Sequence, residues 1–460
     1  MKDKIFIIIL NWNGGKDTIE CLNSVLNIDY DNFQIILVDN GSNDGIVDYV
    51  KNEFPSIIVL EANENLGFVE GNNVGIRYAL ADNTDYIFLL NNDTIVSQNI
   101  LNELLVVIKK SKDIAVVTPK ILNYYDKDVI ESVGGILSLN YSKNIAIGYG
   151  QKDNGQYDHD KEVNFVSGCA FFARADIFKK VGLFDKKYFA YYEDMDICWK
   201  LVKQGYKLYY AYKAKVWHKV SAATGGYKSP NAIYWSTRNR FIFVKSCGSK
   251  RNIVFFIIYF IFIYFLFFIL SNIFSGKRER IRAFIFAILS LFSKRFTYNK
   301  DFPYKIALDI SPISKSKAGV GYYTSQLMHG LHNSVSRNIF TFFRYDISNV
   351  ISFKILNIIF RLLWEQIVLP FKFLIKGVKL VHFPAFVCPI VKTSKYVITI
   401  HDMAYLLYPE MFVKVYRFYL KFFVPLSAKR ADLIIADSQN TQKDIIKFLG
   451  INSKKIRVIY

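Results

Sequence analysis

The stretch Tyr86–Val96, YIFLLNNDTIV, runs apolar from Tyr86 to Leu90 and then turns polar at Asn91-Asn92-Asp93-Thr94. A short apolar run bounded by a polar cluster reads as a buried strand. Its carboxyl end therefore carries a carboxylate flanked by hydrogen-bonding groups.

Outward from it, β-branched runs alternate with helical patterns between Lys4 and Val117. In order they are KIFIIIL, a helix near Thr18–Leu26, QIILV, SIIVL, a helix near Asn72–Leu80, YIFLL, a helix near Asn99–Lys110, and IAVV. Such alternation predicts parallel βαβ units and an α/β domain. Ligands of these sheets sit beyond the carboxyl ends of the strands, here NWNGG, DNGSNDG, EANENLGF and NNDT.

Asp39 closes QIILVDN as Asp93 closes YIFLLNND. Alone, Asp39-Asn40-Gly41-Ser42 reads equally as a turn, and Asn91–Thr94 as the N-cap region of the next helix. Two carboxylates closing strands of one sheet face one crevice. Asp93 is a hard oxygen ligand of the kind Mg²⁺ or Mn²⁺ takes, singly or in pairs, beside substrate phosphates and waters.

Beyond Val117 the pattern loosens into a polar, Gly- and Tyr-rich stretch up to about Glu162, read as a long connection or small subdomain. Order returns at VSGCAFFARADIF. Met195, Cys198, Trp199 and Val202 then recur at helical spacing until Gly205, which puts a helix start at or near Glu193-Asp194. Carboxylates in a first turn stabilise the helix, and the same field keeps them ionised as a general base requires. Spacing alone leaves both readings of Glu193 and Asp194 open. His218, one of six histidines, follows an aromatic strand and is either structural or a metal ligand.

The chain has 460 residues, enough for two or three domains. Its net charge of +20 calls for an anionic partner, and its 52% hydrophobic content calls for a segment that meets lipid. From Ile253 to Phe274 about 22 residues carry no charge, long enough to cross a bilayer core of roughly 30 Å. The apolar run Ala283–Phe292 is too short to span. Lys250-Arg251, Lys277–Arg282 and Lys294-Arg295 flank these runs on all sides, which favours a membrane surface over nucleic acid and the cytoplasmic face of the cell membrane. Both flanking domains stay on that face if the pair is interfacial or a re-entrant hairpin, whereas a single span separates them. The five cysteines form neither a disulfide framework nor a zinc pattern and fit a reducing compartment. MKDKIFIIILNWNGG reads as a first core strand rather than a signal peptide.

A third region from YKIALDI alternates again. It has a helix from Val320 to Leu331, strands near KLVHF, YVITI and DLIIADS, a helix from Thr441 to Leu449, and KIRVIY. The KAGVGYY loop, Lys317–Tyr323, is either an anion-binding turn or a plain one.

Together IIILNWNG, ILVDNGSNDG, NLGFVEGNNVGI, LLNNDT, SGCAFFARADIFKKVGLFD, FAYYEDMDICWKLVKQGY, VWHKVSAATGG and YWSTRNRF, from about Lys4 to Phe243, resemble a family 2 glycosyltransferase of the rhamnosyltransferase-like type. The resemblance implies a nucleotide-sugar-binding domain with a single mixed sheet (GT-A type) over residues 1–250 and an inverting transfer. By it, Asp39 contacts the nucleotide base, and Asn13, Asn40, Asn65, Gly67, Asn73, Asn92 and Arg238 line the donor pocket. Asp93, with His218, holds a divalent metal (Mg²⁺ or Mn²⁺) at the diphosphate, while Asp194 is the catalytic base with Glu193 beside it. Asn91 stands where the family often has a second acid, so Asp93 carries the metal contact nearly alone; Phe184-Asp185-Lys186 stands where FDE is common. The implied donor is a nucleotide diphosphate sugar, rhamnose first, with galactofuranose or an aminosugar as alternatives. The implied acceptor is a lipid-linked or polysaccharide glycan.

Residues 251–300 form the hydrophobic membrane-associated segment. Residues 301–460, through KIALDISPISKSKAGVGYYTSQL, WEQIVLP, VHFPAF, ITIHDMAYLLYPE, RADLIIADSQNTQKDI and KIRVIY, resemble the first, Rossmann-like half of a family 4 glycosyltransferase of GT-B type. That likeness puts Gly319, Gly321 and His401 on the acceptor side of a cleft whose donor half would follow Tyr460. The expectation is a truncated half that transfers no sugar as given, being a truncated product, a remnant or one part of a split enzyme, and that binds acceptor or a separate family 4 donor-domain chain.

Overall fold

The computed structural model describes residues 2–219, 226, 228–275, 277–293, 305–313, 319–334, 340–345 and 360–460. The chain divides into two compact units, Met1–Tyr298 and Asn299–Tyr460.

The first unit opens with β1 (Ile5–Asn11), α1 (Gly15–Leu26), β2 (Phe33–Asp39), α2 (Ile46–Glu53), β3 (Ile58–Glu61), α3 (Gly67–Ala81) and β4 (Tyr86–Asn91). It continues with β5 (Thr94–Val96), α4 (Ile100–Ile108), β6 (Ile114–Asn123), β7 (Ile130–Ser132), β8 (Gly135–Ser138), β9 (Lys143–Ala146), β10 (Lys161–Val163) and β11 (Ala170–Arg174). Then come α5 (Ala175–Val181), α6 (Glu193–Lys203) and β12 (Lys207–His218). The main sheet runs β10-β12-β6-β11-β4-β1-β2-β3, with β5 on β12 and β7 on β6. β1–β4 pair in parallel, but β11 runs antiparallel between β4 and β6, so the sheet is mixed rather than built from parallel units alone.

Both faces of β1 are covered, which is why it reads as an unbroken apolar run instead of an alternation. Ile5, Ile7 and Ile9 pack with Cys21, Leu22 and Val25 of α1. On the other face α3 lies so close that a Cβ on Gly75 would stand 2.5 Å from Ile8 Cγ2. The glycines that permit this approach also hid the helix's first turns, so α3 begins at Gly67 rather than near Asn72.

The stretch after Val117 is more ordered than its composition suggests. β6 continues to Asn123 beside β12, with a register shift between Ala211 and Lys215 opposite Pro119 and Lys120. Proline gives no N–H to a ladder and is accommodated at bulges, which is how Pro119 interrupts the pattern without ending the strand. The buried Lys120 ammonium holds Asp153 at 2.8 Å and Asp158 at 2.7 Å, fastening the following loop to the sheet.

After β12, α7 (Pro230–Cys247) leads to α8 (Lys250–Tyr259), a π-helical turn Phe260–Phe265 and α9 (Leu266–Phe274), followed by α10 (Arg278–Ser290). One helix here, Lys250–Asn272, is long and apolar enough to cross a membrane by length and composition. It folds back along α7, with Phe241 against Phe256 at 5.1 Å and Phe260 at 4.6 Å, while Phe284 of α10 stacks on Phe268 at 4.3 Å. The opposite face leaves Ile258, Ile261, Phe262, Ile263 and Phe267 exposed.

The second unit holds a parallel six-stranded sheet. Its strands are β13 (Lys305–Asp309), β14 (Phe340–Phe343), β15 (Val378–Phe383), β16 (Lys395–Ile400), β17 (Leu433–Ala436) and β18 (Ile456–Val458), with α11 (Gly319–Ser334) after β13. The order β14-β13-β15-β16-β17-β18 is Rossmann-like, around a core of Val381, Phe383, Tyr396, Ile398, Ile400 and Ile434.

Candidate active site

Asn11, at the end of β1, organises the first corner. Its amide donates to Asp39 Oδ1 at 2.8 Å and Ser42 Oγ at 3.0 Å. Its carbonyl accepts from Thr18 Oγ1 at 2.7 Å, the Gly14 N–H at 3.2 Å and Asn92 Nδ2 at 3.3 Å. Asp39 Oδ2 accepts the Ser42 N–H at 3.0 Å, so both carboxylate oxygens are oriented and each keeps a lone pair for a further donor. Asn13, with φ 50°, ties its turn to the next loop by accepting the Asn43 N–H at 2.8 Å.

Asn40 Oδ1 accepts the Leu66 N–H at 2.8 Å, and its amide donates to Asn65 Oδ1 at 3.1 Å and the Gly67 carbonyl at 3.2 Å. These bonds set the entry to α3, where Gly67 has φ 80°. An added Cβ there would stand 2.5 Å from the Phe189 carbonyl oxygen, so only glycine fits. Asn73 is buried inside α3 with its amide donating to the Phe184 carbonyl at 2.9 Å and its carbonyl accepting the Phe184 N–H at 3.1 Å. Those bonds make it a fastener of the 184 turn.

The end of β12 lies between β5 and β6, with His218 paired to Thr94 and Asn123. That register sets His218 Nε2 3.2 Å from Asp93 Oδ1, while Nδ1 lies 2.9 Å from both Glu131 oxygens. Burial pulls the imidazole's pKa down, but Cys169, Asp93 and Glu131 more than offset it and hold it well above the usual value. Among the described residues no group of three or more His, Cys, Asp and Glu side chains forms a metal cluster. Asp93 Oδ1 and, once a cation displaces the ring proton, His218 Nε2 fit a hard divalent ion that completes its shell with substrate oxygens and water. A carboxylate behind the ring, as Glu131 is, orients a ligating histidine. Beside it the buried Lys219 ammonium holds Asp17 at 2.7 Å and Glu20 at 2.6 Å.

The acid pair opens α6. Asp194 Oδ2 accepts the Gly168 N–H at 3.1 Å and Oδ1 the Met195 N–H at 2.8 Å. The next residue's carbonyl, Cys169 O, accepts the Asn91 N–H at 2.9 Å, which ties the pair to the end of β4. Burial pushes Asp194 up to about 6 against these N–H donors, and burial with the charge of Asp194 holds Glu193 well above the usual range. Both carboxyls thus hold a proton more tightly than usual, and Asp194, titrating near neutrality, has the raised basicity that suits a general base.

Tyr191 and Tyr192, just before the pair, both have left-handed backbones, with φ 68° and 78°. Non-glycine residues hold that conformation only when their surroundings enforce it. Here α7 does so: Asn239 Nδ2 donates to the Ala190 and Tyr191 carbonyls at 2.8 Å, and Trp235 stacks on Phe189 at 4.7 Å. Arg238 donates to the Lys187 carbonyl at 3.0 Å and Asn239 Oδ1 at 2.7 Å, so its guanidinium is a further clasp on this segment.

In the second unit Gly319 opens α11, and a Cβ on Gly321 would stand 2.9 Å from the Pro312 carbonyl. His401, after β16, bonds through Nδ1 to Asp437 at 3.1 Å and through Nε2 to the Pro384 carbonyl at 2.9 Å. Lys317 and the 220–225 part of VWHKVSAATGG lie outside the described residues.

Sequence reasoning missed Glu131, Lys219 and Asn239. Lys219 adjoins His218, and Asn239 sits in YWSTRNRF, so both lay inside quoted motifs. Glu131 comes from the loosely patterned stretch and had no local signal.

Residues 3–242 match the family model described as Glycosyltransferase like family 2, and residues 322–460 that of Glycosyltransferase Family 4. Low-salt glycan biosynthesis hexosyltransferase Agl10 of Haloferax volcanii is 25% identical over 251 residues, 54% of this chain and 78% of its own length. Glycosyltransferase GlyG of Streptococcus pneumoniae serotype 4 is 31% identical over 131 residues, 28% of this chain and 42% of its own. Poly-beta-1,6-N-acetyl-D-glucosamine synthase of Staphylococcus aureus is 31% identical over 216 residues, 46% of this chain and 48% of its own. The chain thus spans less than half the length of the last two.

Proposed function

Over residues 3–242 the chain belongs to glycosyltransferase-like family 2, and we propose that this domain moves a hexose from a nucleotide diphosphate sugar to a glycan acceptor with inversion. The observation that carries the reading is the backbone tie from Asp194 through Gly168 and Cys169 to Asn91, which links the acid pair to the end of β4, two residues before Asp93. Asp194 takes the proton of the acceptor hydroxyl as that oxygen attacks the sugar. Glu193 stands beside it, where burial and the charge of Asp194 both disfavour a second negative charge. Asp39 and the Asn40–Asn65 network orient the nucleoside end, and Asp93 and His218 would hold Mg²⁺ or Mn²⁺. The ion, when bound, offsets charge on the departing diphosphate.

Rhamnose is the donor sugar of this proposal; a relative named for poly-N-acetylglucosamine synthesis favours the aminosugar alternative. The acceptor is a lipid-linked or polysaccharide glycan in the making, reached from the cytoplasmic membrane surface through the exposed face of Lys250–Asn272. The family 4 domain acts as an acceptor- or partner-binding module. The test is a screen of dTDP-rhamnose, UDP-N-acetylglucosamine, UDP-galactofuranose and GDP-mannose with Mn²⁺ or Mg²⁺, reading nucleotide release with and without lipid-linked oligosaccharide. Release from one donor, lost in Asp93→Asn and Asp194→Asn, is expected. Release that survives both substitutions contradicts the assignment.

A further inference from the structure

Arg240 stands between the apolar helix and the acid pair. Its Nε donates to the Tyr192 hydroxyl at 3.1 Å, and its guanidinium carbon lies 4.1 Å from the centroid of the Tyr264 ring. Tyr192 is the left-handed residue immediately ahead of Glu193, and its hydroxyl donates to the Ser142 carbonyl at 2.6 Å. Ser142 Oγ returns a bond to the Arg240 carbonyl at 3.0 Å, closing a ring of contacts around the turn. Tyr264 lies in the π-helical turn of the apolar helix, where the regular ladder is interrupted.

Two independent features make this more than packing. A strained, non-glycine turn persists only where its surroundings over-determine it, and Asn239 and Arg240 are the side chains of α7 that bond to its carbonyls and its hydroxyl. On its far side Arg240 meets a helix whose outer face is apolar and open, with Phe262 67% and Phe267 73% exposed. A guanidinium over an aromatic face is attracted by the ring, so displacement of that helix is felt at Arg240.

We propose that Arg240 is a positioning residue that couples the seating of the apolar helix to the Tyr191–Tyr192 turn and so to the aim of Asp194. The proposal rests on the reading of Asp194 as the base. Membrane seating of the helix then favours the productive turn, and loss of the Tyr264 ring loosens it without touching the donor corner.

The test uses the full chain with Arg240→Met, Tyr192→Phe, their double variant, Tyr264→Leu and Tyr264→Phe. Hydrogen–deuterium exchange across residues 190–196 is expected to quicken roughly tenfold in Arg240→Met and Tyr264→Leu, and to stay at the wild-type rate in Tyr264→Phe, which keeps the ring. With the active donor, kcat is expected to fall roughly tenfold at unchanged donor KM, and the double variant to lose no more than the worse single one, because coupled residues are not additive. Flotation on phosphatidylglycerol vesicles is expected to be the same for all. Unchanged exchange in Arg240→Met, or additive losses, overturns the coupling. Turnover that survives in Asp194→Asn overturns the base assignment instead, and the exchange result is read independently of it.

Discussion

Glu131 Oε2 lies 2.9 Å from His218 Nδ1, on the side of the ring opposite Asp93. It comes from β7, a three-residue strand in the stretch whose composition carried least information. A carboxylate placed there fixes the ring and the nitrogen it would offer to the proposed metal. Removing such a partner typically costs 10–100-fold in metal affinity. Glu131→Gln is therefore expected to raise the Mn²⁺ concentration for half-maximal turnover by roughly 10–100-fold, read in a metal titration at saturating donor. An unchanged half-saturation would separate Glu131 from the metal site.

With Asp194 as the proposed base, the acid limb of the pH profile is expected to report its carboxyl. Burial raises its carboxyl to about 6, above the usual value of about 4. The protonated form is the inactive one, so turnover falls as pH drops through about 6 and is near its plateau at pH 7. A limb near pH 4 in the log kcat profile would show that another group takes the proton.

Gly67 tests the approach of α3 to the Phe189 segment. With φ 80° and the Phe189 carbonyl 2.5 Å from a new Cβ, Gly67→Ala must strain the backbone or push the segment away. A residue forced into this region costs on the order of 1–3 kcal/mol, so a fall in Tm of several degrees with reduced turnover is expected. Thermal unfolding that matches the wild type would mean the two segments stand farther apart.

The exposed face of Lys250–Asn272 is expected to bind lipid. Phe262 and Phe267 contribute little to the fold because they are largely open. Phe262→Glu with Phe267→Glu should leave Tm unchanged and abolish flotation on phosphatidylglycerol vesicles, since charge on a lipid-facing helix costs about 2.5–3.5 kcal/mol per residue. Retained flotation would shift membrane binding to another surface.

The strand ends were readable because buried strands of this sheet carry unbroken apolar runs that stop at Asp39 and Asn91. The start of α6 was readable from helical spacing ending at Gly205. What escaped was assembled over long sequence distances. Glu131 reaches His218 only because β6 continues through Pro119 and carries β7 on its edge. Asn239 and Arg240 act on a turn about fifty residues upstream, and no local periodicity records that α7 packs there. The apolar run read as a spanning, interfacial or re-entrant segment, and nothing in its composition recorded that its Phe256–Tyr264 side packs on α7.

Asp194 as the proposed acceptor of the hydroxyl proton stands or falls on kcat of Asp194→Asn against wild type on the active donor and acceptor, with nucleotide binding followed in parallel. The amide keeps the size of the side chain and loses the basicity, so kcat should fall by roughly 10²–10⁴-fold with nucleotide affinity unchanged. An Asp194→Asn chain that turns over within a few-fold of wild type would contradict the account.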